Sequence, residues 1–295
     1  MQKLEKKVRR LVGRYRVSAP KKFRLEDCDP TDTAGLDIDG KEVKKALQDG
    51  IRMLAEMQDR LYAQDCWALL IVFQAMDAAG KDGTIKHVMY GVNPQGVQVH
   101  SFKTPSPEEL DHDFLWRVAQ RLPERGRIGI FNRSHYEEVL IVKVHPEILR
   151  SEKLPEGLAT KEIWAQRYED INAFERHLAR NGYRIVKFFL NVSKKEQKRR
   201  FLERLNTPEK NWKFSIADVR ERAHWKEYMQ AYEDAIRATS TPWAPWYVVP
   251  ADHKWFTRLA VAAAIVDEMQ RLELLYPKLG KARLKELDAA RRELE

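Results

Sequence analysis

Asp77, Lys81 and Asp82 fall within six positions of one another in the stretch FQAMDAAGKDGTIKHV, residues 73–88. A glycine-lysine pair between an apolar run and a helix-prone segment is the arrangement that binds phosphate. Backbone N–H groups and the positive end of the helix converge on the anion, and the lysine adds a point charge. The usual phosphate loop reads G-x-x-x-x-G-K-[ST], and this one departs from it twice. Ala75 stands at the first glycine, and Asp82 stands where a hydroxyl would hold Mg²⁺. Ala78, Ala79, Gly80, Gly83 and Thr84 would line the cradle around Lys81. Two carboxylates beside bound phosphate repel it unless a divalent cation joins them, so Asp77 and Asp82 point to Mg²⁺, with Mn²⁺ as a substitute. A general-base role for Asp77 is the weaker reading, because a phosphate acceptor is already ionised at neutral pH. The competing reading of the whole stretch is a solvent-exposed connection that happens to carry a lysine.

A second polar group lies in RIGIFNRSHYEEVL, residues 127–140, where Asn132, Arg133, Ser134, Tyr136 and Glu137 follow an apolar run. Parallel strands bind ligands at their carboxyl ends, and the planar fork of Arg133 suits two phosphoryl groups at once. Taken by itself, the same segment also reads as a capped turn with a surface arginine.

Positioning these groups requires a sheet. Trp67–Phe73, Val97–Phe102, Arg127–Phe131, Tyr183–Asn191 and Trp246–Val249 read as strands. The first is a continuous apolar run suited to burial on both faces. Between them, 3.6-residue periodicity and capping signals predict helices over Lys41–Ala63, Asp82–Tyr90, Pro107–Arg121, Ser134–Leu140, Lys161–Asn181, Ser193–Leu205, Ile216–Ala238 and Lys254–Leu274. Such alternation predicts an α/β fold with a parallel sheet covered on both sides. Residues 1–40 read as an irregular extension with a basic arm at its start. Residues 41–275 form one domain with a helical excursion over about 193–238, and 276–295 form an exposed tail helix.

The chain has 295 residues, a third of them charged, and a net charge of +9. That balance attracts polyanions: nucleic acid, anionic membrane or phosphate-rich small substrates. Residues 187–226 concentrate it, with twelve Lys/Arg against five Asp/Glu. The longest apolar run, Cys66–Phe73, is too short to span a bilayer, and no signal peptide is visible. Two cysteines build no disulfide framework, which suits a reducing cytoplasm. The eight histidines lack zinc-site spacing. Trp212, Trp225, Trp243 and Trp246 read as packing for the excursion and last strand, with base stacking as the alternative for one of them.

The stretches MDAAGKDGTIKHV, VHSFKTPSPEELDHDFLWR, RGRIGIFNRSHYEEVL, FERHLARNGYRIVKFFLNVSKKEQKRRFLER, NWKFSIAD and PWYVVPADHKWFTRLAV together resemble the polyphosphate kinase 2 family, in its order and including its unusual loop. The resemblance implies a three-layer αβα P-loop fold like that of thymidylate kinase, with a five-stranded, mainly parallel sheet and a helical lid. It implies Mg²⁺-dependent, reversible transfer of the terminal phosphoryl of inorganic polyphosphate to a nucleotide. The family's loop residues fall on Asp77, Lys81 and Asp82, its second-motif arginine on Arg133, and its lid cations on candidates Lys194, Arg200 and Arg204. Many members carry Asp where this chain has Asn132, and an amide supplies no charge. The FNRS-x-YE form resembles the subgroup acting on nucleoside mono- and diphosphates, so AMP, ADP and ATP are the expected nucleotides, with GMP and GDP as further acceptors. Glu137 is a candidate acceptor discriminator, and a pure diphosphate kinase is the alternative.

A phosphate chain needs a lined track, for which Lys103, Arg117 and Arg121 are candidates, each also readable as a solvated charge. Catalysis would be positioning plus electrostatic stabilisation. No nucleic-acid or membrane partner is expected, while apolar helix faces fit a homo-oligomer, dimer or tetramer. The competing functions are an ATP-dependent small-molecule kinase of the same fold, and a basic nucleic-acid binder, against which the loop carboxylates argue.

Overall fold

The computed structural model describes residues 10–37, 41–155, 157–212 and 214–295. Five strands form one parallel sheet in the order β2-β3-β1-β4-β5: β1 (Ala68–Gln74), β2 (Val97–Ser101), β3 (Ile128–Asn132), β4 (Tyr183–Asn191) and β5 (Trp246–Pro250). Every residue of β1 is buried, so both sheet faces are covered, as a continuous apolar strand demands. Helices α1 (Lys41–Gln64), α2 (Lys81–Val88) and α7 (Lys254–Gln270) pack together; α3 (Ile163–Arg180) and α6 (Trp225–Thr239) form a second group. The excursion between β4 and β5 is α4 (Lys194–Leu205), a one-turn helix at Pro208–Asn211, α5 (Ile216–Glu221) and α6. The tail helix α8 (Lys281–Leu294) buries none of its side chains. Among the described residues no helix is long and apolar enough to cross a membrane.

Register sets the site. Phe73 of β1 aligns with Asn132 of β3, and the Arg133 N–H donates to the Phe73 carbonyl at 3.1 Å. The loops leaving β1 and β3 therefore emerge side by side at the carboxyl edge. At the core beneath, α7 carries LAVAAAIV with apolar residues on all sides, and it is buried from Leu259 to Met269; a helix apolar all round has to be.

Four expectations are revised. The 1–40 segment is not outside the domain where it is described. Arg16 bridges antiparallel to Tyr247, the Val17 N–H donates to the Trp246 carbonyl at 2.9 Å, and Val12, Tyr15 and Leu25 are core residues. It covers a sheet edge that would otherwise be open; residues 1–9 and 38–40 of the segment lie outside the described residues. Pro107–Arg121 is not one helix but two single turns, Pro107–Leu110 and Trp116–Ala119. Asp113 Oδ1 accepts the Leu115 N–H at 2.9 Å, closing a turn that competes with the helix. Ser134–Leu140 tightens to a 3₁₀ turn over His135–Val139, capped by the Ser134 side chain. The Ile216–Ala238 helix breaks at Arg222–His224.

Candidate active site

The loop expected to hold phosphate runs from Ala75 to Gly80, and α2 begins at Lys81. Ala78 has φ +59° and Gly80 φ +106°, both left-handed, a conformation natural to glycine but strained for alanine. No side chain caps the N-terminus of α2, which leaves its first N–H groups to an anion. Lys81 Nζ donates to the Ala75 carbonyl at 2.8 Å, folding the ammonium back over the loop. Burial pushes its pKa down, while Asp77 is the largest influence in the other direction.

Arg133 follows β3 with φ +65°, a rare conformation for a long side chain, and strained residues of this kind cluster at functional sites. Its Nη2 reaches Asp77 Oδ1 at 3.1 Å. Burial works against its charge, but Glu137 and Asp77 outweigh that and keep the guanidinium protonated. Ser134 Oγ accepts from Gln74 Nε2 at 3.1 Å and from the Tyr136 N–H at 3.2 Å, tying the turn to β1. Asn132 Nδ2 donates to Asp82 Oδ1 at 2.8 Å. Burial raises the Glu137 carboxyl, against the pull of Arg133 and then Lys81. Asp77, Lys81, Asp82, Asn132, Arg133 and Glu137, predicted from two separate stretches, thus form one constellation.

Beneath that turn, Lys187 of β4 is fully buried. Its Nζ donates to Tyr136 Oη at 2.8 Å, to Glu175 Oε2 at 2.5 Å and to the Thr239 carbonyl at 2.8 Å. A lysine inside the apolar run YRIVKFFLN thereby braces the segment carrying Arg133 and Glu137.

Of the constellation, all but Glu137 line a cleft of about 700 Å³. Ala78, Ala79, Gly80, Gly83 and Thr84 line it as expected, as do Lys103 and Arg204. Arg204 Nη1 lies 3.8 Å from Asp218 Oδ2, and Asp218 is pushed up by burial and then by Asp77. Three cations expected at the site are placed elsewhere. Arg117 is buried at 5% exposure; its Nη1 donates to the Lys103 carbonyl at 2.8 Å and its fork faces Glu109 and Glu138. It braces the β2 exit rather than lining a track. Arg121 is exposed outside the cleft lining, near His100. Lys194 is also exposed, with Nζ 5.9 Å from the Trp225 ring centroid. Arg200 borders the cleft, but its guanidinium is turned to backbone carbonyls.

Lys254 and Arg258 of α7 were not anticipated, yet both line the cleft. Arg258 Nη2 comes within 3.9 Å of where a Cβ on Gly83 would stand. The sequence did hold a signal: α7 opens with no acidic residue in its first turn and two cations one turn apart, against the preference of helix N-termini for negative charge.

Among the described residues no group of three or more His, Cys, Asp or Glu side chains is placed to hold a metal unaided. Asp77 and Asp82 both line the cleft and offer hard oxygen ligands. Mg²⁺ keeps waters and is commonly held by one or two carboxylates plus substrate phosphates, so this donor set fits Mg²⁺ brought in with phosphate.

Residues 37–274 match the family described as polyphosphate kinase 2. An ADP-polyphosphate phosphotransferase of Rhodopseudomonas palustris is 55% identical over 249 residues, covering 84% of this chain and 86% of that protein. An AMP/ADP-polyphosphate phosphotransferase of Meiothermus ruber is 45% identical over 267 residues, covering 90% and 96%. The crystal structure of polyphosphate kinase 2 from Arthrobacter aurescens TC1 superposes with a TM-score of 0.84 at 41% identity, over 95% of this chain and 96% of that one.

Proposed function

The chain belongs to the polyphosphate kinase 2 family, and from that membership we propose that it transfers the terminal phosphoryl group of inorganic polyphosphate to AMP and ADP, reversibly and with Mg²⁺. One observation carries this reading. Two carboxylates, Lys81 and Arg133 meet at the start of α2, and the cleft they face is also lined by Lys103, Arg204, Lys254 and Arg258. A single phosphate would need only the first group. A chain of phosphates, charged at every unit, needs the rest.

Phosphoryl transfer asks a protein chiefly for positioning and charge stabilisation. The loop N–H groups and the start of α2 hold the terminal phosphoryls. Arg133, held by Asp77, spans donor and acceptor oxygens through its planar fork, and Lys81 supplies a compact charge from below. Asp77 and Asp82 would hold Mg²⁺, which when bound supplies charge neutralisation between the two phosphates. Asn132 aims the Asp82 carboxylate. Arg204, carried by α4, adds charge from the lid side as water is excluded. Glu137, outside the cleft lining but against Arg133 and Lys81, would act on acceptor choice through those two cations. Relatives named for ADP alone and for AMP together with ADP make this acceptor choice a point of variation.

The test is a donor-by-acceptor panel on the purified chain with Mg²⁺, supplying polyphosphate or ATP as donor and AMP, ADP, GMP or GDP as acceptor. Polyphosphate-dependent ATP formation from AMP and ADP is expected. No turnover with either adenine acceptor overturns the proposal, and transfer from ATP alone to a non-nucleotide would replace it.

A further inference from the structure

We propose that Arg200 and Gln197 are positioning residues that shape the phosphate loop by holding its carbonyls. Helix α4 supplies both, three residues apart and so on one face. Gln197 Nε2 donates to the Asp77 carbonyl at 2.9 Å. Arg200 Nη1 donates to the carbonyls of Ala78 at 3.1 Å and Ala79 at 2.7 Å. Its Nη2 donates to those of Ala251 at 2.6 Å and Asp252 at 3.1 Å, at the exit of β5. Its Nε donates to Glu196 Oε1 at 2.8 Å. A guanidinium has five N–H donors, and here all are engaged on a side chain only 5% exposed.

Three consecutive loop carbonyls thus point toward α4. In a planar trans peptide the next residue's N–H points the opposite way, which turns the N–H groups of Ala78, Ala79 and Gly80 from α4. That of Ala79 closes a turn on the Met76 carbonyl at 3.2 Å; those of Ala78 and Gly80 are turned from α4 in the same way. The device matters because this loop has Ala75 where glycine would ease the path, and Ala78 sits at φ +59°. Such strain persists only where surrounding bonds over-determine the backbone.

The clamp is itself anchored. Ser193, the cap of α4, is held to Asp252 by its N–H and Oγ, both at 2.7 Å, and accepts the Glu196 N–H at 3.0 Å. Arg222, between α5 and α6, donates to Gln197 Oε1 at 2.5 Å. Helix α4 therefore joins loop, β5 exit and lid, and a lid motion that shifted it would reorient the phosphate-binding N–H groups. Arg200 cannot reach a transferring phosphoryl without releasing carbonyls it now holds.

The inference rests on residues 75–81 being the phosphate loop, and its test uses no substrate, so it stands or falls apart from the acceptor assignment. Amide hydrogen exchange of the full chain is measured for wild type, Arg200→Met, Arg200→Lys, Gln197→Leu and Arg204→Met. Loss of the arginine bonds should speed exchange of the hydrogen-bonded loop amides, those of Ala79 and Thr84, by about tenfold or more, with strands β1 and β4 unchanged. Arg200→Lys should recover only part of the protection, since one ammonium cannot match the planar fork. Gln197→Leu should give a smaller rise, and Arg204→Met none. If Arg200→Met and Gln197→Leu both leave loop exchange at the wild-type rate, the proposal is overturned. Should Arg200→Met fail to fold, Arg200→Lys and Gln197→Leu decide the matter on the same criterion.

Discussion

Asn132 Nδ2 donates to Asp82 Oδ1 at 2.8 Å, so an amide rather than a third carboxylate stands in direct contact with Asp82. The bond aims Asp82 into the cleft without adding charge. Asn132→Asp would replace this donor by a like charge. It should cost about 1 kcal/mol of stability without metal, and millimolar Mg²⁺ should recover it. Thermal melts of both proteins with EDTA and with Mg²⁺ read this directly, and an unchanged metal-free melt would mean that the bond contributes nothing.

Lys81 and Arg133 are the two fixed cations against the loop carboxylates. If each stabilises charge in the transition state, Lys81→Met and Arg133→Met should each lower kcat by about 10²–10³. Both should fold, since their role is toward the cleft. A variant with kcat within about twofold of wild type removes that residue from the mechanism.

The two classes of arginine near the cleft should separate by assay. Arg258 lines the cleft, so Arg258→Met should raise the polyphosphate KM and weaken its salt dependence, with the melting temperature nearly unchanged. Arg117 is buried between Glu109, Glu138 and the Lys103 carbonyl. Arg117→Met leaves the buried Glu138 carboxylate with Arg167 alone, 3.6 Å away, and the Lys103 carbonyl without its donor, and should destabilise by about 2 kcal/mol. The reverse pattern would return Arg117 to the polyphosphate track.

Glu196 holds Arg199 and Arg200 together, and these hydrogen bonds, Arg199 first, pull its carboxyl from 4.5 down to about 2. A depressed carboxyl contributes stability that is fully present above the unfolded pKa and is lost as the folded one is approached. The stability gap between wild type and Glu196→Gln should therefore be constant above pH 4.5, narrow between pH 4.5 and 2, and close below. A gap that widened on acidification would reverse the assignment. Urea titrations at stepped pH measure it.

Much of this was legible in order along the chain. The five strands and the loop stand where apolar runs and turn residues place them, because those patterns are local. The break in Pro107–Arg121 escaped because Asp113, readable as a solvated helix position, turns its carboxylate on the Leu115 N–H. Arg117 and Arg200 escaped for a different reason. The same five N–H donors serve phosphate oxygens and backbone carbonyls equally well, so residue type and spacing do not distinguish a ligand-binding arginine from a bracing one.

What the sequence by itself determined is the chemistry: a strand, a short loop and a helix carrying Asp77, Lys81 and Asp82, with Arg133 after another strand. The lack of the usual glycine and hydroxyl was equally plain there. Only the tertiary structure decided which of the many cations face the cleft. Arg200 meets Ala79 across 121 residues of chain, and Lys254 and Arg258 reach the cleft because α7 packs beside α2. Contacts of that kind are set by how the helices pack on the sheet, and no local pattern in the chain encodes them.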